Sequence, residues 1–354
     1  MALIKAKNLI KTFKLGESEF RAVNDVSINI EQGETYGLVG ESACGKSTIA
    51  LSILALQSVD SGVVEFDGVN ILTMQKKIRR SLRRNIRMLF QNPEAVLNSG
   101  MTLQQVLMEE LEKEKKLSKK EKITLMHETI GQVGLSDLHL ARFPAGLSTG
   151  EKQRAAIARA IITRPKFLIC DEPVASLDLS LKSGIIDLLM DLQKRLGLTY
   201  LYISHNLALV RKMAHKIGIM YMGNLVEEAP AQTFSVFRVL HPYSKLLLAS
   251  VPSTYPDEYQ KILTKYPDVK DLPSKLPNGF KQRYHDILKD YPDVEPTRLP
   301  GGCPFRNRCP FYFQNPLKDC ETTMPSLRDH GDGRKAACHQ IKGLVYKGMR
   351  TTAV

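Results

Sequence analysis

The stretch GESACGKST, made of Gly40, Glu41, Ser42, Ala43, Cys44, Gly45, Lys46, Ser47 and Thr48, constrains this chain more than any other. It meets the pattern G-x-x-x-x-G-K-[ST], between an apolar run, TYGLVG, that reads as a buried strand and KSTIALSILAL, which reads as a helix. A strand that enters a glycine turn and leaves as a helix builds a cradle for phosphate. The glycines let backbone N–H groups close on an anion, the helix N-terminus adds partial positive charge, and the Lys46 ammonium reaches the β- and γ-phosphates of a nucleotide. Ser47 then offers its hydroxyl to Mg²⁺.

With 354 residues, 43% hydrophobic and 25% charged, the chain is globular and long enough for two domains. It has no apolar run of 18 residues, and MALIKAKNLIKTF lacks the apolar stretch of a signal peptide, so a cytosolic chain is expected. The net charge of +13 suggests an anionic partner: nucleic acid, a lipid surface or only the nucleotide. Of two basic runs, 113–122 mixes in glutamates at helical spacing and reads as one solvated helix face. The run 76–84 reads the same way, with attraction to anionic lipid as a lesser alternative. Neither supports nucleic-acid binding.

Short apolar strands alternate with turns from residue 3 to about 92, and residues 102–165 carry apolar positions at helical spacing. Strands return at KFLICDEP, TYLYIS and KIGIMYMGNLVEE around the helical LKSGIIDLLMDLQKRLG. This order predicts an α/β domain with a mostly parallel sheet and an inserted helical block. Beyond residue 235 the composition shifts toward Pro, Tyr, Asp and Lys, and YPD recurs at 255–257, 266–268 and 291–293 as a short helix–turn unit. Four of the six cysteines follow at spacing C-x5-C-x10-C-x17-C: Cys303, Cys309, Cys320 and Cys338. In a cytosolic chain such a group favours metal over disulfides.

KFLICDEP ends in adjacent carboxylates, and strand alternation gives Asp171 and Glu172 different neighbours: Asp171 to hold Mg²⁺ through water, Glu172 to polarise an attacking water. His205 and Gln91 each follow an apolar strand and can reach a phosphate oxygen, a metal or a water. In LSTGEKQR, Ser148 and Glu151 fit a helix capping box, and Ser148 with the Gly150 N–H forms a second anion half-site. Cys44 lies among loop amides beside Lys46, which predicts a lowered thiol pKa and ready alkylation.

In order along the chain, GESACGKST, FQNPEAVLN, LSTGEKQR, LICDEPVASLDLS and ISHN resemble the Walker A, Q-loop, signature, Walker B with D-loop, and H-loop segments of ATP-binding cassette (ABC) ATPases. LHPYSKLLLASVP and GGCPFRNRCP resemble the C-terminal extension of the ATP-binding subunits of oligopeptide and dipeptide importers, more like the second ATPase of the pair. The resemblance covers most of the chain, residues 253–299 excepted, as they exceed the usual linker.

The resemblance implies a P-loop ABC core at 1–235, with an antiparallel β region and a helical subdomain at 93–165. A C-terminal extension at 236–354 would hold a linker at 253–299 and a four-cysteine domain at 300–340. It implies ATP and Mg²⁺, with Phe13 stacking on adenine and Ser47 and Gln91 at the metal. Glu172, His205 and Gln91 would act in hydrolysis, and Asp178 would cross to the partner subunit. In such proteins the signature completes the site of the opposite subunit, so Thr149 and Glu151, where glycine and glutamine are usual, would act on the partner's nucleotide. It also implies a [4Fe–4S] cluster on the four cysteines, a heterodimer with a second ATPase, two permease subunits, an external solute-binding protein and a place on the cytoplasmic face of the membrane. A soluble ABC ATPase working on nucleic acid or ribosomes, or an importer of nickel or another small solute, stands as the alternative.

Overall fold

The computed structural model describes residues 2–16, 18–75, 78, 82, 84–234, 238–250, 301–314 and 316–341. Most of the basic run 76–84 and all three YPD units lie outside them. The chain forms two units, Met1–Leu225 and Val226–Val354.

The first unit opens with two long strands, β1 (Ala2–Leu15) and β2 (Ser18–Glu31), paired antiparallel with several register shifts. With β4 (Ser61–Phe66) and β5 (Val69–Asn70) they make a sheet of order β2-β1-β4-β5. A separate parallel sheet contains β3 (Thr35–Val39), β6 (Ile86–Leu89), β7 (Phe167–Asp171), β8 (Thr199–Ser204) and β9 (Lys216–Tyr221), in the order β9-β3-β8-β7-β6. Every residue of β3 and β8 is buried, which is why TYGLV and TYLYIS are continuous apolar runs rather than alternating ones. Helix α1 (Lys46–Ile53) follows β3, α5 (Leu179–Leu196) precedes β8, and α6 (Leu207–Met213) follows it. A Cβ on Gly37 would lie 2.2 Å from Val210 Cγ1, so only glycine lets α6 seat this close to β3.

Helices α2 (Leu103–Glu112), α3 (Lys119–Gln132) and α4 (Thr149–Ile161) form the helical layer. Each starts at a capping box: Thr102 with Gln105, Ser118 with Glu121, and Ser148 with Glu151. The run 113–122 is therefore not one helix face. Helix α2 ends at Glu112 and α3 begins after Ser118, because the box at Ser118 satisfies a new helix start. Glu110, 1% exposed, receives Arg87 from β6 at 2.9 Å, Arg159 from α4 at 2.6 Å and Lys113 at 3.2 Å. This ion cluster ties the helical layer to the strand that leads into Gln91.

In the second unit, β10 (Asn224–Pro230) pairs antiparallel with β12 (Lys335–Ala336), which pairs with β11 (Arg328–Asp329). Glu227 on β10 accepts the Leu240 and His241 N–H groups, both at 2.8 Å, just before α7 (Pro242–Ser250). The Phe305 ring packs 5.7 Å from His241 and 5.5 Å from Tyr243. Two one-turn helices, α8 (Pro310–Gln314) and α9 (Lys318–Thr322), carry the chain past Cys309 to Cys320.

Candidate nucleotide site

The loop from Gly40 to Gly45 joins β3 to α1 with two left-handed residues, Ala43 at φ 59° and Gly45 at φ 105°. A Cβ on Gly45 would sit 2.1 Å from the Ala22 carbonyl, so the position requires glycine for both conformation and space. No side chain caps α1. Its first N–H groups are left to a ligand. Lys46 is buried, and its ammonium donates to the Gly40 carbonyl at 2.9 Å and the Glu41 carbonyl at 2.7 Å. A phosphate in the loop replaces those weak acceptors with a charged one.

Beside the loop lies a cleft lined by Phe13, Phe20, Ala22, Ala43, Gly45, Lys46, Ser47 and Thr48. Phe13 and Phe20 are register partners across β1 and β2, and the Lys11 ammonium stands 5.3 Å from the Phe13 ring centroid. Phe20 escaped the sequence reading. Its place opposite Phe13 depends on a hairpin register that several bulges alter, whereas its apolar character was the only local signal.

Asp171 ends β7 and accepts a hydrogen bond from Ser47. Burial raises its pKa, and the Ser47 hydroxyl opposes the rise. Glu172, next in the chain, adopts φ 47° and its N–H donates to the Ile203 carbonyl at 2.9 Å. Both its carboxylate oxygens lie 3.0 Å from His205 Nδ1. The neighbouring acids thus take different partners, because the strand ends at Asp171 and Glu172 turns into the left-handed region. Gln91 is exposed after β6, beside Asn92, whose side chain accepts the Glu94 N–H at 2.9 Å. Asp178 is the exposed N-cap of α5.

Ser148 and Gly150 begin α4 in the helical layer and do not line the cleft at Lys46. Leu181 of α5 lies beside Gly150, 3.5 Å from where a Cβ would stand. Glu151 accepts the Ser148 N–H at 2.8 Å and the Ser148 hydroxyl at 2.9 Å. Its pKa falls to about 2 through those bonds and one from His139.

The expectation at Cys44 is corrected. Burial, not the Lys46 charge, dominates at Cys44: the thiol is 5% exposed and its pKa is raised, with Lys46 opposing at 3.6 Å. Among the described residues no group of three or more His, Cys, Asp or Glu side chains is arranged to hold a metal ion. Cys303, Cys309 and Cys320 are buried, Cys338 is half-buried, and none of the four is in a disulfide. Burial raises all four pKa values, to about 12 at Cys303 and Cys338, so they pack as neutral thiols.

Among the described residues no helix is long and apolar enough to cross a membrane. The family profile described as "ABC transporter" matches residues 23–175, and that described as "Oligopeptide/dipeptide transporter, C-terminal region" matches 226–286 and 272–315. These two matches overlap at 272–286 and together run through 253–299. The putative oligopeptide transport ATP-binding protein YkfD of Bacillus subtilis is 34% identical over 98% of both chains. OppF, the oligopeptide transport ATP-binding protein of the same organism, is 42% identical over 76% of this chain and 90% of its own. The di/tripeptide transport ATP-binding protein DppF of Pseudomonas aeruginosa is 37% identical over 93% of each. A dimeric post-hydrolysis structure of the ATP-binding cassette MJ0796, bound to ADP and Pi, superposes with TM-score 0.59 at 28% identity, covering 64% of this chain and 98% of that one. The phosphate loop, the paired acids and the C-terminal region place this chain in the family of ABC transporter ATP-binding proteins of the oligopeptide/dipeptide type.

Proposed function

We infer that this chain is the ATP-hydrolysing subunit of an importer for oligopeptides or dipeptides, dimerising with a second ATPase subunit and coupled to membrane permeases. The observation that carries hydrolysis is Glu172, paired through both oxygens with His205 next to Asp171, Ser47 and the loop of Lys46. Phe13 stacks on the adenine, Gly40 to Thr48 wrap the phosphates, and Lys46 holds the β- and γ-phosphates. Ser47 and Gln91 would hold Mg²⁺; the residues fit in that Ser47 is already oriented by its hydrogen bond to Asp171. The ion, when bound, screens the phosphate charge. Glu172 takes a proton from water, whose oxygen attacks the γ-phosphorus as the bond to the β-phosphate oxygen breaks and ADP leaves. His205 keeps the carboxylate aimed at that water.

Ser148, Gly150 and Asp178 serve the nucleotide of the partner ATPase in a heterodimer, at the cytoplasmic face of the membrane, and an external binding protein delivers the solute. Peptide as the solute is supported by the names of the relatives and by the C-terminal region. Residues 1–235 act as the nucleotide-binding part and 236–354 as its extension. Cys303, Cys309, Cys320 and Cys338 take a [4Fe–4S] cluster. The donor set suits it, and each of the other three thiols raises the pKa of Cys338, which supports their mutual proximity. A cluster there would be held by the four cysteines as thiolates. Protein purified without oxygen should be brown, with iron and sulfide in near-equal amounts; colourless protein with bound zinc overturns the cluster.

In the assembled transporter, Glu172→Gln keeps shape and hydrogen bonding but removes the base. ATP should still bind while turnover falls about 10²- to 10⁴-fold. Near-normal hydrolysis by that variant removes Glu172 from the role.

A further inference from the structure

Glu151 sets a problem that the rest of the site does not solve. A carboxylate pinned at the start of α4 with a pKa of about 2 is charged at every working pH. It stands one residue from Gly150, where the N-terminal N–H groups are to receive an anion. It also occupies the Ser148 hydroxyl, whose proton it accepts at 2.9 Å. A serine whose proton is committed to a neighbouring carboxylate cannot donate it to a phosphate.

The third partner of that carboxylate comes from outside the helix. His139 closes the one-turn 3₁₀ helix Asp137–His139, and its Nε2 lies 3.0 Å from Glu151 Oε1. An ionised carboxylate can only accept a hydrogen bond. Nε2 therefore carries a proton and donates it to Glu151, while Nδ1 stands 3.1 Å from the Ser136 nitrogen, 2.9 Å from its hydroxyl and 3.1 Å from its carbonyl oxygen. Both side chains are largely covered, with exposures of 17% for His139 and 29% for Glu151. The carboxylate is thereby divided: Oε2 serves Ser148, and Oε1 serves a donor that no phosphate will claim.

We propose that His139 is a positioning residue for the signature: its Nε2–H retains the Glu151 carboxylate when an incoming phosphate takes the Ser148 hydroxyl, so that the acid stays off the anion site. Without His139, releasing Ser148 leaves Glu151 with the Ser148 N–H alone, and the carboxylate competes with the phosphate for the same hydroxyl. Glutamine at this position carries no charge and needs no such restraint. The histidine is therefore the companion of the glutamate.

This inference rests on the reading of Ser148 and Gly150 as half of the partner's nucleotide site, and the experiment separates the two. In the assembled transporter, ATP KM and kcat are measured for His139→Ala, Glu151→Gln, the double variant and His139→Gln. Loss of a hydrogen bond to a charged group predicts a KM about tenfold higher in His139→Ala, with kcat changed far less. Adding Glu151→Gln to it should restore KM to within about twofold of Glu151→Gln alone, because the charge that needed holding is gone. His139→Gln keeps a donor and should recover most of the loss. A histidine that only packs the 3₁₀ turn against α4 would give lower thermal stability and a loss that Glu151→Gln does not rescue, which overturns the proposal, as does an unchanged KM in His139→Ala. Gly150→Asp is the control for the underlying reading: full turnover there removes the anion half-site and the positioning role together, whereas lost turnover with a neutral His139→Ala removes the positioning role alone.

Discussion

Two buried glutamates, one in each unit, solve the same problem in opposite ways. Glu110 in the helical layer is 1% exposed, and burial alone would raise its pKa, yet Arg87, Arg159 and Lys113 outweigh burial and lower it. Glu227 on β10 is equally buried and takes hydrogen bonds from the Leu240 and His241 N–H groups, yet burial prevails and its pKa is raised. Its neighbours follow: His241 is pushed down to about 3, and burial lowers Lys245 against the pull of Glu227 and Cys338. Three facing cations outweigh burial at Glu110, whereas at Glu227 backbone dipoles and the single Lys245 charge do not. The first unit is thus braced by charge where the strand of Arg87 leads into the nucleotide site. In the second, burial governs the direction in which Glu227, His241 and Lys245 shift.

The largest effect should come from Glu110→Gln. It removes the carboxylate that three cations share, and breaking such a buried pair costs about 3 kcal/mol. Glu227→Gln deprives one N–H of its acceptor and should cost only about 1 kcal/mol. Hydrogen exchange read locally, in α2 and β6 for the first variant and in β10 and α7 for the second, checks each. The pH trends run in opposite directions. The folded pKa of Glu110 is lowered, so its contribution is present above the unfolded value of about 4.5 and is lost as pH falls through the lower folded value. The folded pKa of Glu227 is raised, so its contribution is present below about 4.5 and is lost as pH rises through the higher folded value. Equal losses for the two variants, or parallel pH trends, would erase the contrast.

His241 sharpens it at an intermediate level. A base with a depressed folded pKa stabilises fully above its unfolded value of 6.5, and that stability drains away as pH falls toward about 3. Within this window each pH unit should cost about 1.4 kcal/mol. His241→Asn keeps an acceptor for the Tyr243 N–H, which His241 Nδ1 now receives at 3.1 Å, and has nothing to titrate. Acid unfolding of the second unit should therefore flatten in that variant. An unchanged slope would place the proton uptake elsewhere.

What was legible in the sequence is what neighbouring residues write. The phosphate loop, the divided acids Asp171 and Glu172, and the capping box at Ser148 and Glu151 are contiguous patterns whose chemistry is decided within a few residues. The same box at Ser118 and Glu121 is equally local, and it starts a new helix inside the basic run 113–122. The ion cluster on Glu110 draws partners 23 and 49 residues away, and Phe20 meets Phe13 only through a register that bulges decide. His139 meets Glu151 from a 3₁₀ turn that leaves no periodic trace. Burial was the hidden variable for the cysteines, whose sequence neighbours spoke only of charge and spacing.

Cys44 tests that last point with the smallest effect. Its thiol stands 3.6 Å from the Lys46 ammonium at a helix N-terminus, and both lower a thiol pKa; burial nevertheless raises it. At neutral pH the thiolate fraction should be small, and a charged alkylating reagent should react more slowly than with a free thiol. Nucleotide should slow it further through electrostatics as well as shielding: a bound phosphate draws Lys46 away from the sulfur and adds negative charge beside it. The sulfur is not needed for hydrolysis, so Cys44→Ser should leave turnover within about twofold, the oxygen retaining a weak contact to Lys46. Fast alkylation that bound nucleotide does not slow would mean that charge governs this loop, as the sequence alone implied, and that the contrast between a charge-braced first unit and burial-dominated thiols does not extend to the phosphate loop.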